Sequence, residues 1–180
     1  MNLASTLEFA LAGLLRYKSQ SGYDLRKTFT ETAMRHYSDS PGSIYPALRR
    51  LQARGWIEAE PKDRRGREAF HLSREGVAAF LEWLTRDLTR DDVAWRLKEV
   101  MLRFAFMDGN VPRSTTIRFL DQFEREFSVY VGERRAKFER DSYMKPVHTG
   151  LLAFQMGIEV MEAQLSWARN ARLRLGEDAG

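Results

Sequence analysis

The sequence contains no cysteine. Disulfides, thiolate zinc sites and cysteine nucleophiles are therefore excluded, and the composition suits a reducing compartment. Histidine is scarce as well: His36, His71 and His148 fall in a loop, a predicted strand and a helix start, with no spacing that suggests a metal site or a catalytic pair. Neither a phosphate loop nor a nucleophile elbow occurs. Neither an enzyme nor a cofactor is expected. No apolar run is long enough to cross a bilayer, and the opening stretch MNLASTLEFALAGLLRYK lacks the positive n-region of a secretion signal. The expectation is a soluble, cytoplasmic protein without membrane contact. A strong excess of one charge is missing too. The net charge is +4, and residues 1–88 hold 14 Lys and Arg against 11 Asp and Glu, while residues 89–180 hold 15 against 14. Any case for nucleic acid must rest on where the charges lie.

What is present is patterning. Ser5 followed by Glu8 has capping-box spacing, and Phe9, Ala10, Leu11, Leu14 and Leu15 carry a first helix to about Tyr17. In GYDLRKTFTETA, Leu25, Phe29 and Thr32 or Ala33 predict a short amphipathic second helix. The stretch SPGSIYPALRRLQARGWIE predicts a third. Pro46 is tolerated in a first turn, Ser43 is placed to cap, and Gly55 is placed to terminate. Ile44, Leu48 and Leu51 share one face, which belongs in a core; Tyr45, Pro46, Arg49, Arg50 and Gln52 lie on the other. After Gly55 the period changes. WIEAE and EAFHL read as a hairpin whose tip, PKDRRGR, carries Lys62, Arg64, Arg65 and Arg67.

Three helices and a basic-tipped hairpin outline a winged helix-turn-helix, in which the third helix enters the DNA major groove and the wing lies along the backbone. Tyr45, Arg49 and Arg50 would then face the duplex, and the tip would neutralise phosphates. Between Ile44 and Arg74 there are eight Lys or Arg against four acids, so charge is concentrated where this arrangement needs it. Ser73 is placed to cap a fourth helix with Val77, Phe80, Leu81 and Leu84 on one face. The charged stretch TRDLTRDD marks a boundary, giving a DNA-binding domain over 1–88 and a helical domain over 89–180.

In the second half, WRLKEVMLRFAFMDG is apolar almost all round, which predicts a helix buried against several neighbours. Pro112 opens a long helix to about Tyr143. A last helix runs from Val147 to about Leu175, with Leu151, Phe154, Ile158, Met161, Leu165 and Ala168 as a heptad seam. With Leu152, Met156 and Val160 added, the apolar arc is wider than one neighbour within the chain should need, which predicts a homodimer.

LEFALAGLLRYKSQSGYDLRK, SPGSIYPALRRL followed by GWIE, RRGREAFHLSREG and the helix ending in EWL resemble the winged-helix domain of PadR-type transcriptional regulators, across most of residues 5–84. The second half is similar to the dimerisation region of that family's longer branch, to which virulence-gene activators belong. The fold implied is mainly α: a winged helix-turn-helix followed by an all-α dimerisation domain. The resemblance implies a homodimer binding double-stranded DNA at an inverted repeat, with repression the expected sign. It places Ser43, Tyr45, Pro46 and Arg49 on the recognition helix, Tyr23 near the backbone at the start of the second helix, and Arg65 with Arg67 on the wing. A flat small-molecule effector between the C-terminal helices is also implied, with Trp95, Trp83 and Trp167 as candidate walls; a tryptophan beside apolar helices also fits a plain core. The residues leave open a winged helix used for protein contact without DNA.

Overall fold

A computed structural model describes residues 4–37, 41–62, 66–142 and 146–177. The chain divides into two compact units, Met1–Leu84 and Thr85–Gly180, so the boundary falls where TRDLTRDD begins.

In the first unit, α1 spans Thr6–Tyr17 and opens with the expected capping box: the Ser5 hydroxyl accepts from the Glu8 backbone N–H, and the Glu8 carboxylate accepts from the Ser5 N–H at 2.6 Å. A two-residue strand, β1 (Gln20–Ser21), follows. The Ser21 hydroxyl then caps α2 (Gly22–Glu31) by accepting from the Asp24 N–H. Leu25 and Phe29 of α2 are buried, but the helix stops at Glu31 and leaves Thr32 and Ala33 exposed. A 3-10 turn over Ala33–Tyr37 and another over Pro41–Ser43 lead to α3 (Ile44–Ala53).

Ser43 does not cap α3 as expected. Its backbone is already helical, at φ −76° and ψ −18°, and its side chain makes no capping bond. The 3-10 turn runs straight into the helix, so the extended geometry that a capping hydroxyl requires is absent. The far end of α3 is as expected. Gly55 takes φ +70°, its N–H donates to the Gln52 carbonyl, and the Trp56 N–H reaches back to Leu51. This paired closure needs a left-handed residue that glycine supplies without strain.

The chain then enters β2 (Ile57–Ala59) and β3 (Ala69–Leu72), antiparallel with Ile57 opposite Leu72 and Ala59 opposite Phe70. The hairpin gains a third strand, because β1 pairs with the other edge of β3 and gives the order β1-β3-β2. Two residues are too few to show an alternating pattern, so β1 had no signal in the sequence. The Ser73 hydroxyl caps α4 (Arg74–Thr85) by accepting from the Gly76 N–H at 3.0 Å.

The core of the unit is formed by Ala10, Leu11, Leu15, Leu25, Phe29, Ile44, Leu48, Leu51 and Phe80. An aromatic cluster closes one side. Phe9 stacks on Trp83 at 4.4 Å and lies 5.7 Å from Trp56, which gives the tryptophan after the terminating glycine its purpose.

In the second unit the helix expected over WRLKEVMLRFAFMDG is α6 (Leu97–Ala105), and the charged boundary stretch before it forms a further short helix, α5 (Arg90–Trp95), separated from α6 by Arg96, whose φ of −123° and ψ of 29° are not helical. The apolar run also contains Arg103, which is fully buried. Its guanidinium donates to the Arg86 carbonyl and lies 5.1 Å from the centre of the Phe119 ring. Burial, with Arg86 nearby, pushes it down to about 10. Arg86 forms a two-pronged pair with Asp92 at 2.8 and 2.9 Å. Burial opposes ionisation of Asp92, but Arg86 and the Thr89 backbone and hydroxyl outweigh it and hold the carboxyl at about 2.

Two long helices complete the unit, α7 (Arg113–Ser142) and α8 (Thr149–Glu177). They pack antiparallel: Asp121 meets Arg172 at 3.2 Å, Glu124 meets Arg169 at 2.7 Å, Arg135 meets Glu162, and Phe138 meets Phe154 edge-on at 5.8 Å. Among the described residues no helix is long and apolar enough to cross a membrane.

Gly76 packs directly against β2's entry. A Cβ built on it would lie 2.0 Å from the Trp56 carbonyl oxygen, which is backbone and cannot step aside. Gly76→Ala is expected to destabilise the first unit by about 1–3 kcal/mol or more, read as a lower urea midpoint at an unchanged m-value.

Candidate nucleic-acid interface

The third helix presents two chemically distinct faces. Ile44, Ala47, Leu48 and Leu51 are buried, while Tyr45, Arg49 and Gln52 stand exposed at steps of four and three residues. Arg49 makes no ion pair among the described residues. Pro46 and Ser43 are half-buried beside this face.

Arg50 departs from the expectation that it faces DNA. Its Nε donates to Glu8 Oε1 at 2.7 Å, and the Glu8 side chain is almost wholly buried. Successive helical residues are 100° apart, so two adjacent arginines cannot serve one face. Arg49 points outward and Arg50 turns back to α1. Burial by itself would raise the Glu8 carboxyl, but the Ser5 N–H and the Arg50 guanidinium overcome it and hold the group below its ordinary value near 4.5. The partner of Arg50 lies 42 residues upstream, out of reach of any local pattern.

At the start of α2, Tyr23 is exposed, and Arg26 lies over its ring at 5.8 Å from the centroid. Arg26 was missed in the sequence; its signal was the three-residue step from Tyr23, which sets both on one helical face.

On the wing, Lys62 and Arg67 are exposed. Arg64 and Arg65 lie outside the described residues. The stem below the tip carries Glu58 and Glu60, which flank His71 across the ladder at 3.4 and 3.5 Å, and Ser19 donates to Glu60.

The second unit divides the residues expected at a dimer interface. Ile158 and Leu165 are buried within the single chain, with Leu151, Phe154 and Met161 half-buried beside them. This is a correction to the seam: α8 folds back on α7 and occupies it internally. Exposed apolar residues lie on the other side of α8, with Leu152 at 52%, Met156 at 59%, Val160 at 48% and Trp167 at 39% exposure. Trp95, at 76% exposure, is not core. Trp83, by contrast, is core.

Residues 11–82 match the sequence model of the Transcriptional regulator PadR-like family. Over nearly its whole length the chain is similar to the Negative transcriptional regulator PadR of Bacillus subtilis, at 22% identity over 182 residues, covering 96% of this chain and 98% of that protein. It is also similar to solved structures of Bacillus subtilis PadR. The complex with p-coumaric acid matches at 20% identity over 98% of each chain with a TM-score of 0.41. The complex with operator DNA matches at 20% identity over 96% of this chain and 99% of that one, with a TM-score of 0.42.

The Glu8–Arg50 pair makes the first unit acid-sensitive in a defined direction. A carboxyl held low in the folded state contributes stability that is complete above its unfolded value near 4.5 and is lost as pH falls through the lower folded value. Glu8→Gln is expected to remove that part of the acid limb in unfolding measured from pH 7 to 3. Arg50→Ala should cost about 1–2 kcal/mol of stability, after allowance for the exposure of Arg50.

Proposed function

We propose that the chain, whose residues 11–82 match the PadR-like family of transcriptional regulators, reads an operator sequence with α3 while α2 and the wing hold the DNA backbone. The observation that carries this is the outer face of α3. A fully buried apolar face fixes the helix, and the opposite face offers Tyr45, Arg49 and Gln52 with no acid paired to Arg49 among the described residues. Arginine donates in pairs to the guanine edge and glutamine to adenine, whereas tyrosine adds flat contact area. Tyr23, Arg26, Lys62 and Arg67, with Arg64 and Arg65, supply contacts to phosphate, which give affinity and register without reading bases.

The reading includes a homodimer. A single winged helix makes few base contacts, and the outer stripe of α8, Leu152, Met156, Val160 and Trp167, is apolar surface that α7 does not cover. A two-fold pair of recognition helices spaced by one duplex turn, about 34 Å, requires an inverted repeat with centres about 10 base pairs apart or a multiple of that. Repression is the sign we favour, supported by the similarity to a negative regulator along the length of the chain. A small-molecule effector beside Trp95 would need the second chain to supply the facing wall, because the indole lies open in the first.

Arg49→Ala is expected to weaken affinity for a duplex selected by the full chain by roughly 1–3 kcal/mol, and to relax preference at one position per half-site. Replacing Arg64, Arg65 and Arg67 together should weaken all sequences alike and lower the slope of log K against log salt by about 0.9 for each phosphate no longer neutralised. Unchanged binding in both variants, or binding insensitive to salt, would point to a protein partner in place of DNA.

Met156→Glu with Val160→Glu should sediment as a monomer at unchanged helicity. Its affinity for the whole operator should fall by roughly two orders of magnitude or more, while binding to a half-site stays as it was. A wild-type chain that sediments as a monomer would refute the dimer.

A further inference from the structure

Tyr45 is the first residue of the outward face of α3, and it does not stand free. Gly22, the first residue of α2, is buried against it. A Cβ built on Gly22 would lie 2.7 Å from Tyr45 Cε1 and 3.3 Å from Cδ1, and 3.4 Å from Leu48 Cδ1. The last distance is ordinary contact; the first is closer than real Cβ atoms come. The edge of the tyrosine ring therefore lies in the notch left by the missing side chain. Backbone geometry does not account for a glycine here. Its φ is not among the positive ones, those of Gly55, Gly66 and Gly109, and glycine is a poor helix residue wherever a left-handed conformation is not needed. What the position requires is space on the side facing Tyr45.

Resting on the assignment of α3 as the reading helix, we propose that Gly22 is a positioning residue for DNA recognition, its absent side chain forming the notch that fixes the Tyr45 ring before DNA arrives. The ring is 46% exposed, so one edge is seated and the other remains available to the duplex. A half-exposed aromatic side chain with nothing to hold it samples several rotamers and must be ordered on binding. Seating it beforehand removes that cost and fixes which atoms face the groove.

The experiment uses the full chain, with Gly22→Ala, Tyr45→Ala and the double variant, and the duplex selected by the wild type from a random pool. The atom that must yield in Gly22→Ala is the end of a side chain, so the unfolding temperature should hold. In the free protein the Tyr45 ring resonances should move relative to wild type. Affinity for the selected duplex should fall by roughly tenfold or more, the low-to-middle range for removal of a good base contact, while affinity for unrelated duplex stays the same. On the Tyr45→Ala background, Gly22→Ala should change nothing further. Unmoved Tyr45 resonances, or equal weakening on both backgrounds, would overturn the proposal even where the wild type binds its operator well. A wild-type chain that enriches no duplex would instead sink the reading of α3, and this inference with it.

Discussion

A buried carboxylate on the first helix determines how the third is held. Glu8 closes the capping box of α1 through the Ser5 N–H and at the same time accepts from Arg50 at 2.7 Å. One side chain thus ties the start of α1 to the middle of α3. The pair agrees with the rotation that the buried row Ile44, Leu48 and Leu51 gives α3, because a turn of 100° would exchange Arg50 for Arg49. With Arg50 drawn toward α1, Arg49 lies outward alongside Tyr45 and Gln52. The double arginine therefore divides: Arg50 is an anchor to Glu8, and Arg49 is left on the outer face. The two cannot substitute for each other, since the anchor neutralises a carboxylate that is otherwise buried and unpaired, and such groups are costly.

Features governed by neighbours in sequence were legible in it. The Ser5–Glu8 box, the Gly55 terminus, the Ser73 cap and the buried row Ile44, Leu48 and Leu51 each follow from spacings of three or four residues, and each lies where it was expected. The features that escaped depend on distant partners. β1 is too short to show a period and exists because β3 offers it an edge. Arg50 was placed with Arg49 because helix spacing says which face a residue is on but not that a carboxylate waits there. Ser43 had the right residue type for a cap, yet the preceding 3-10 turn had already set its backbone.

The heptad seam of α8 shows the same limit in another form. Its period correctly identifies a face that packs on a helix, and the partner turns out to be α7 of the same chain, clamped by Asp121–Arg172 and Glu124–Arg169. A seam carries no label saying whether its neighbour is covalently attached. The residues that distinguish an internal seam from an external one are those off the main row, Leu152, Met156 and Val160, which stay exposed once α7 is in place. The segment at the start of the second unit is likewise secured within it. Arg103 holds the Arg86 carbonyl, and Gln122 accepts from the Leu88 N–H and donates to Asp87. Residues 86–88 are therefore bonded into the second unit.

Charge placement follows from this division of labour. Residues 89–180 have nearly as many cations as acids, 15 against 14, and several of their arginines tie one helix to another: Arg90 with Glu133, Arg135 with Glu162, and Arg169 and Arg172 with Glu124 and Asp121. The excess, 14 against 11, falls in residues 1–88, and there Arg50 is taken by Glu8 and Lys27 lies near Glu31. The cations placed for phosphate are a handful on the wing and beside Tyr23. Each phosphate contact adds about 0.9 to the slope of log K against log salt, so on the proposed reading one winged helix with few of them would bind weakly at physiological salt. Joining two of them through uncharged, apolar surface raises the affinity of the pair without adding a single phosphate contact. A modest net charge is therefore compatible with tight, selective binding, provided that dimer contacts supply the affinity and the outer face of α3 supplies the discrimination.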